Sequence, residues 1–282
     1  MNRIYSPEIE YSNQTSLSHR KKFAQFFTPA RITKFMANWI LCTNNLQTIL
    51  EPAFGLGIFS RHLLSQNPNV TIKGYEIDDL IIEFGKQLFI DNRQVTLVHQ
   101  DYMLNDWSEK FDGIICNPPY FKFQDYDNQT IIPLVADHLK CTITKFTNLY
   151  ALFLLKSLYQ LKPDGRCAYI IPSEFLNSDY GKWVKSHLLQ TKMLRHIIVI
   201  DFKENVFNDA LTTSAIILCA NDQNADTVCF STIHSLEELD ALENQMVAYP
   251  RERKQPALKQ SELNPEGTIV LTWNRKSGIN NS

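Results

Sequence analysis

Between Thr48 and Cys219, strand-length apolar runs alternate with longer segments of helical period, and this alternation limits the fold more than any single motif. Strand-like runs stand at Thr48–Leu50, Val70–Tyr75, Val95–Val98, Gly113–Cys116, Cys167–Ile171, Leu194–Ile200 and Leu211–Cys219. Helical segments fall between them at Ile58–Leu64, Leu80–Ile90, Leu149–Leu161 and roughly Tyr180–Leu189, the third closed by Lys162-Pro163-Asp164-Gly165. Each short run is ambiguous alone, but successive β and α units imply a mostly parallel sheet with helices on both faces. The expectation is an α/β fold, a doubly wound, mostly parallel seven-stranded sheet. Ahead of it, Ile32, Phe35, Met36, Trp39 and Ile40 recur at helical spacing. Pro29 suits the first helical position there, and Thr28 the N-cap.

The flanks read differently. Residues 1–22 are polar and lack period, which predicts a flexible arm before a main domain over 23–222. Past 222 the alternation weakens, leaving 223–282 as an extension. In it 235–244 is helix-like, Thr268–Trp273 strand-like, and Tyr249–Glu262 is charged and proline-bearing like a linker. A chain of 282 residues can bury one large α/β core with a partial second. The longest apolar runs, His196–Ile200 and Ala210–Ala220, are far short of a membrane span, and Met1–Tyr5 leads into polar residues rather than a signal segment. A cytoplasmic protein is therefore expected. The six cysteines show no pair at metal-ligand spacing and the seven histidines no cluster, so buried free thiols and no metal site are expected. With a net charge of −2, affinity for nucleic acid must come from local basic surface. His19-Arg20-Lys21-Lys22 is one such cluster, and Arg251 to Lys259 with Arg275-Lys276 is another; each reads equally as a solvated face.

In doubly wound folds ligands sit beyond the carboxyl ends of the strands, and polar residues gather there: Glu51, Glu76, Asp101, Asn117 and Pro172-Ser173. After the first strand, Glu51-Pro52-Ala53-Phe54-Gly55-Leu56-Gly57 leads into a helix, letting the backbone approach a ligand closely. Ser60 occupies the place of the third glycine in a dinucleotide fingerprint, which weakens a nicotinamide or flavin reading. Glu76, at the end of the next strand, is placed to accept from ribose hydroxyls, while Asp78 fits a helix cap better. Asp101 follows the third strand and could hold an adenine amine. Three acids after three successive strands point to a nucleoside-containing cofactor.

Asn117-Pro118-Pro119-Tyr120 follows the fourth strand, and a given four-residue string of this kind arises by chance in about one chain per thousand. Its chemistry suits an sp² amine. The Asn117 amide oxygen and the Pro118 carbonyl can each accept a hydrogen bond from such a nitrogen as a methyl cation equivalent approaches. The paired prolines stiffen the turn, and Tyr120 offers a π-face to a planar substrate. From Tyr120 to Asn148 the chain interleaves Phe121, Lys122, Phe123, Tyr126, Lys140 and Lys145. That mixture suits either contact with an unstacked base or a lid.

Together these pieces resemble the N6-adenine DNA methyltransferases of type II restriction–modification systems, specifically the catalytic domain of the γ group. Phe26-Phe27-Thr28-Pro29 is similar to that group's N-terminal cofactor motif, and Glu51 to Gly57 to its methionine-binding loop. Asn148-Leu149-Tyr150, Leu161 to Gly165 and Ile171-Pro172-Ser173 resemble the helix–strand pair that follows its catalytic motif. The likeness covers about residues 23 to 220. It implies the S-adenosylmethionine-dependent methyltransferase sheet, S-adenosyl-L-methionine as cofactor and DNA as partner. It assigns cofactor binding to Thr28, Glu51, Pro52, Ala53, Phe54, Gly55, Gly57, Glu76, Ile77, Asp101, Tyr102 and Pro119, with Ile77 and Tyr102 sandwiching the adenine ring. It assigns catalysis to Asn117, Pro118 and Tyr120, with Phe207 stacking on a flipped base. Residues 222–282 are too few for the target-recognition domain usual in the group. That implies a fragment, a split system with a separate target-recognition polypeptide, or a degenerate enzyme, each binding DNA weakly alone.

Rival functions differ in substrate or class. The motif also suits a protein glutamine amide or an RNA base. A nicotinamide oxidoreductase would use the Gly-x-Gly turn but leaves Asn117 to Tyr120 unexplained. A non-catalytic DNA-binding subunit would not need that motif intact.

Overall fold

The computed structural model describes residues 6–120, 128–140, 148–177, 179–202, 213–222, 227–249, 257–259 and 263. Its strands are β1 (Thr48–Glu51), β2 (Thr71–Glu76), β3 (Val95–His99), β4 (Phe111–Cys116), β5 (Leu161–Pro172), β6 (Leu194–Ile200), β7 (Ser214–Ala220), β8 (Thr227–Ile233) and β9 (Ala257–Lys259). They form one sheet in the order β3-β2-β1-β4-β5-β7-β6-β8-β9. β1 pairs in parallel with β2 and β4, β2 with β3, and β4 with β5, while β7 runs antiparallel to both β5 and β6. These seven are the strands expected from the alternation. β8 extends them in parallel along β6, and β9 closes the edge antiparallel to β8. Thr227–Ile233 and Ala257–Lys259 thus continue the same sheet.

The sheet carries two cores because its strands alternate faces. Ile114 and Cys116 of β4 enter one hydrophobic cluster and Ile115 the other; Cys167, Tyr169 and Ile171 of β5 divide from Ala168 and Ile170 in the same way. On the second face lie α3 (Ala30–Leu41), α4 (Ile58–Gln66) and α9 (Glu238–Ala248). On the first lie α6 (Asn128–Leu139), α7 (Leu149–Tyr159) and α8 (Asp179–Thr191). α7 is buried from Leu149 to Leu158, Lys156 included. The Lys156 ammonium donates to the carbonyls of Tyr102 at 2.5 Å, Met103 at 3.3 Å and Asn105 at 3.3 Å, and to the Asn105 side chain. Burial lowers its pKa to about 7, with Asp101 and Asp106 pulling the other way. This lysine clamps the short helical turn Tyr102–Leu104 that follows β3 and so fixes Asp101 before it.

Three local expectations are corrected. Residues 7–22 are not a flexible arm: they form α1 (Pro7–Gln14) and α2 (Leu17–Lys22). A buried tyrosine anchors the first of them. Tyr11 is fully buried against Leu56 and Ile81, with Phe27 and Phe84 edge-on to its ring at 6.1 and 5.2 Å. A single aromatic leaves no periodicity to read. Next, Thr28 does not cap α3. Pro29 holds the N-cap with ψ 143°, and the residue before a proline is pushed out of the helical region. Finally, Lys162-Pro163-Asp164-Gly165 does not precede β5 but lies within it as a bulge. Phe111 faces Leu161, Gly113 faces Arg166, and Asp164 takes φ 62° between them. The bulge removes a proline, which has no N–H to give, from the ladder. Among the described residues no helix is long and apolar enough to cross a membrane.

Candidate active site

The strand order reverses between β1 and β4, and a cavity of about 450 Å³ opens at their carboxyl ends. Glu51 ends β1 and is almost fully buried. Its Oε2 accepts from the Ser60 amide at 3.1 Å and the Ser60 hydroxyl at 2.5 Å. The residue that breaks the three-glycine pattern therefore holds the first acid. Burial pushes Glu51 up to about 8, while the Ser60 hydrogen bonds and the more distant Arg61 oppose the shift. Glu76 ends β2. Its Oε2 accepts from the Gly55 amide at 2.9 Å, and its Oε1 from the amides of Ile77 at 2.8 Å and Asp78 at 3.0 Å. Burial raises its pKa against those three donors. Asp101 caps the turn after β3, accepting from the Met103 amide at 2.8 Å, and burial raises it too.

The loop between β1 and α4 is shaped around one ring. Phe54 donates its amide to the Tyr75 carbonyl at 2.8 Å, and its buried ring meets Phe89 at 5.4 Å. Gly57 stands at φ 67°, and a Cβ there would lie 2.4 Å from Phe54 Cζ; a Cβ on Gly74 would lie 2.2 Å from Phe54 Cδ2. Gly57 does not line the cavity. The absence of a side chain there makes room for the Phe54 ring. Gly57→Ala is expected to destabilise the fold by about 2–4 kcal/mol, from left-handed strain plus overlap. A urea titration should show a lower midpoint at an unchanged slope.

Asn117 follows β4. Its Nδ2 donates to the Phe26 carbonyl at 3.0 Å and to Thr28 Oγ1 at 3.1 Å, which joins the N-terminal motif to Asn117-Pro118-Pro119-Tyr120. Asn117 and Pro119 line the cavity with Thr28, Glu51, Pro52, Ala53, Phe54, Gly55, Glu76, Ile77, Asp101 and Tyr102. Pro118 and Tyr120 lie outside its lining. Tyr120 donates to the Ile170 carbonyl at 3.1 Å and sets its ring edge-on to Tyr150 at 6.2 Å; burial raises its pKa, so it stays a neutral phenol. Ile77 is 52% exposed, and Tyr102 only 1%. Tyr102 gives its hydroxyl to Gln160 at 2.8 Å, away from the cavity, and Lys156 Nζ stands 4.5 Å from its ring centroid. What Tyr102 offers a ligand is therefore ring surface. Phe207, Lys122, Phe123, Tyr126, Lys145 and the basic residues Arg251 to Arg253 and Arg275-Lys276 lie outside the described residues.

Several wall residues carried no sequence signal. Phe153 of α7 lines the cavity but looks like any apolar residue of a buried helix. Gln25 and Glu8 line it because α1 and α2 fold over it. Both helices are pinned through Asp78, the cap of α5 (Asp79–Leu88), which accepts from His19 at 2.8 Å, Gln25 at 2.5 Å and the Leu80 amide at 3.3 Å. Burial alone would raise Asp78, but these donors hold it below the usual carboxylate range. His19, read as part of a basic patch, thus turns inward. Among the described residues no three His, Cys, Asp or Glu side chains are grouped to hold a metal ion. The arrangement suits an extended ligand with a cationic end near Glu51, a sugar near Glu76 and a heterocycle between Ile77 and Tyr102.

A profile of the family described as Eco57I restriction-modification methylase matches residues 46–207. The chain is 58% identical over 276 residues to the type II methyltransferase M.AccI of Acinetobacter calcoaceticus, covering 97% of this chain and 51% of that protein. It is 25% identical to the type II methyltransferase M.HincII of Haemophilus influenzae, over 77% of this chain and 41% of that one. The chain thus spans about half the length of the curated relatives it matches. Among solved structures, the type I restriction-modification methyltransferase subunit of Streptococcus thermophilus shares the fold with a TM-score of 0.70 at 19% identity, over 87% of this chain and 58% of that chain. The type IIG restriction endonuclease BpuSI does so with a TM-score of 0.70 at 14% identity, over 96% of this chain and 34% of that chain. A class I S-adenosylmethionine-dependent methyltransferase of Listeria monocytogenes follows with a TM-score of 0.65 at 19% identity, over 87% of this chain and 80% of that chain.

Proposed function

This chain belongs to the Eco57I restriction-modification methylase family, and from that premise we propose that it transfers a methyl group from S-adenosylmethionine to the N6 amine of adenine in DNA. The observation that carries the proposal is the fixed amide of Asn117. The Phe26 carbonyl can only accept, so the nitrogen of Asn117 must face it, and Oδ1 is left free to accept from a substrate amine. The Pro118 carbonyl is the second acceptor. Together they concentrate electron density on a nitrogen whose lone pair is otherwise delocalised into its ring. No strong general base is required.

The cavity fits the cofactor on two grounds: its volume of about 450 Å³, and three partly or fully buried acids spaced along it. Bound there, S-adenosylmethionine would supply an electrophilic methyl group on a sulfonium that is already a good leaving group. Glu51 and the loop through Gly55 would hold its methionine end, Glu76 its ribose and Asp101 its adenine amine, with Ile77 and Tyr102 flanking the ring. Adenine inside a duplex cannot reach this cavity, so the base must be extruded, and this reading gives Tyr120 and Phe207 the stacking contacts with it.

The experiment is tritiated-methyl transfer to unmethylated genomic DNA followed by nucleoside analysis. Label in N6-methyladenine is expected. Label in protein glutamine or in RNA, with none in DNA, replaces the substrate and keeps the site. No transfer to any of the three sinks the reading.

A further inference from the structure

The likeness to known enzymes gives Thr28 to the cofactor, yet its hydroxyl oxygen lies 3.1 Å from Asn117 Nδ2. The second Nδ2 hydrogen goes to the Phe26 carbonyl at 3.0 Å, so both amide hydrogens are committed to the N-terminal motif. A side-chain amide has two near-equivalent flips; the Phe26 carbonyl, which can only accept, selects the one that keeps Oδ1 for substrate, and the Thr28 oxygen anchors the amide in it. Phe26 supplies one acceptor through its backbone. Thr28 supplies the other, and it alone can be altered without moving the chain.

We propose that Thr28 is a positioning residue for methyl transfer, acting through the Asn117 amide. The inference rests on the methyl-transfer reading of this site. Thr28 is 4% exposed, which holds its side chain in place beside Asn117. Its backbone carbonyl accepts from Thr33 Oγ1 at 3.4 Å, a contact independent of the Thr28 hydroxyl. Valine keeps the branched shape and nearly the volume while removing the hydroxyl, and with it the oxygen that meets Asn117. In Thr28→Val one Nδ2 hydrogen faces a methyl group, the amide loses one of its two anchors, and Oδ1 is held less well where the substrate amine must meet it.

Two measurements test this. In single-turnover methyl transfer at saturating cofactor, T28V should be slowed by about ten- to a hundredfold, the scale of a misaligned reacting group, with the cofactor Kd within about threefold of wild type. T28S, which restores the oxygen, should recover most of the rate. A rate unchanged at saturation, or a Kd that rises as much as the rate falls, overturns the proposal in favour of a packing or cofactor role. The second measurement needs no activity. In ¹⁵N-labelled protein the Asn117 side-chain NH₂ pair, identified by its loss in Asn117→Asp, should show one proton moving upfield and exchanging faster in T28V but not in T28S. An identical pair in all three proteins overturns the proposal. If wild type methylates nothing, the substrate reading fails while this second result still decides the role of Thr28.

Discussion

Asn117→Ala is expected to abolish methyl transfer, by on the order of 10²–10³-fold or more, while leaving cofactor affinity within a few-fold of wild type. The asymmetry follows from where Asn117 sits. It closes one side of a cavity whose other walls carry Glu51, Glu76, Asp101 and the loop from Pro52 to Gly55, and none of those depends on the Asn117 side chain for a hydrogen bond. Removing the amide deletes the acceptor for the substrate amine and leaves that nitrogen's lone pair in its ring. A carboxylate is no substitute. In Asn117→Asp an oxygen would face the Phe26 carbonyl, which can only accept, so the side chain would turn away and most of the activity should be lost as well. Tritium incorporation under single-turnover conditions, beside calorimetric titration of the cofactor, separates the two quantities. Retained adenine methylation in the alanine variant would sink the mechanism.

The parts of this architecture that were legible in the sequence are those where one residue type has one physical reading. β4 and β5 alternate faces with period two, so their apolar runs announce a sheet covered on both sides. The acids and Asn117 stand at strand ends, where the fold places ligands. Less legible were features made by contacts distant in sequence. Tyr11 anchors a segment that otherwise looks unstructured, and its partners Leu56 and Ile81 lie far along the chain. Phe153 reaches the cavity only because α7 packs across the mouth of the sheet. Gly57 reads as a position of close backbone approach, and the ring it accommodates belongs to Phe54, three residues earlier. Thr28 stands 89 residues before Asn117, and only the folded chain brings its hydroxyl to that amide.

Glu51→Gln should weaken cofactor binding and stabilise the free protein, and the two effects should share one pH dependence. In the folded chain burial pushes Glu51 up to about 8 from an ordinary 4.5, with Glu76 adding repulsion and Arg61 and the Ser60 donors opposing it. The native state therefore holds a proton that the unfolded state releases between those two values, and stability falls as pH rises from about 4.5 to about 8. Glutamine carries no such penalty. The thermal midpoint of E51Q should match wild type near pH 4.5 and exceed it by a growing margin up to pH 8, the full difference being of order a few kcal/mol. Binding runs the other way. A ligand bearing a sulfonium and an α-ammonium group favours the ionised carboxylate, so wild-type affinity should strengthen by up to about tenfold per pH unit from 6 to 8. It should weaken again once the ligand's amino group, with a pKa of about 8, loses its charge. E51Q should lack the rising limb and bind at least about tenfold more weakly at pH 8. Calorimetry across that range decides the matter. If E51Q binds as well as wild type with a flat profile in both, the buried acid serves the β1–α4 turn through Ser60 alone. If affinity falls and stability rises, its burial is a cost to the fold that the bound cation offsets.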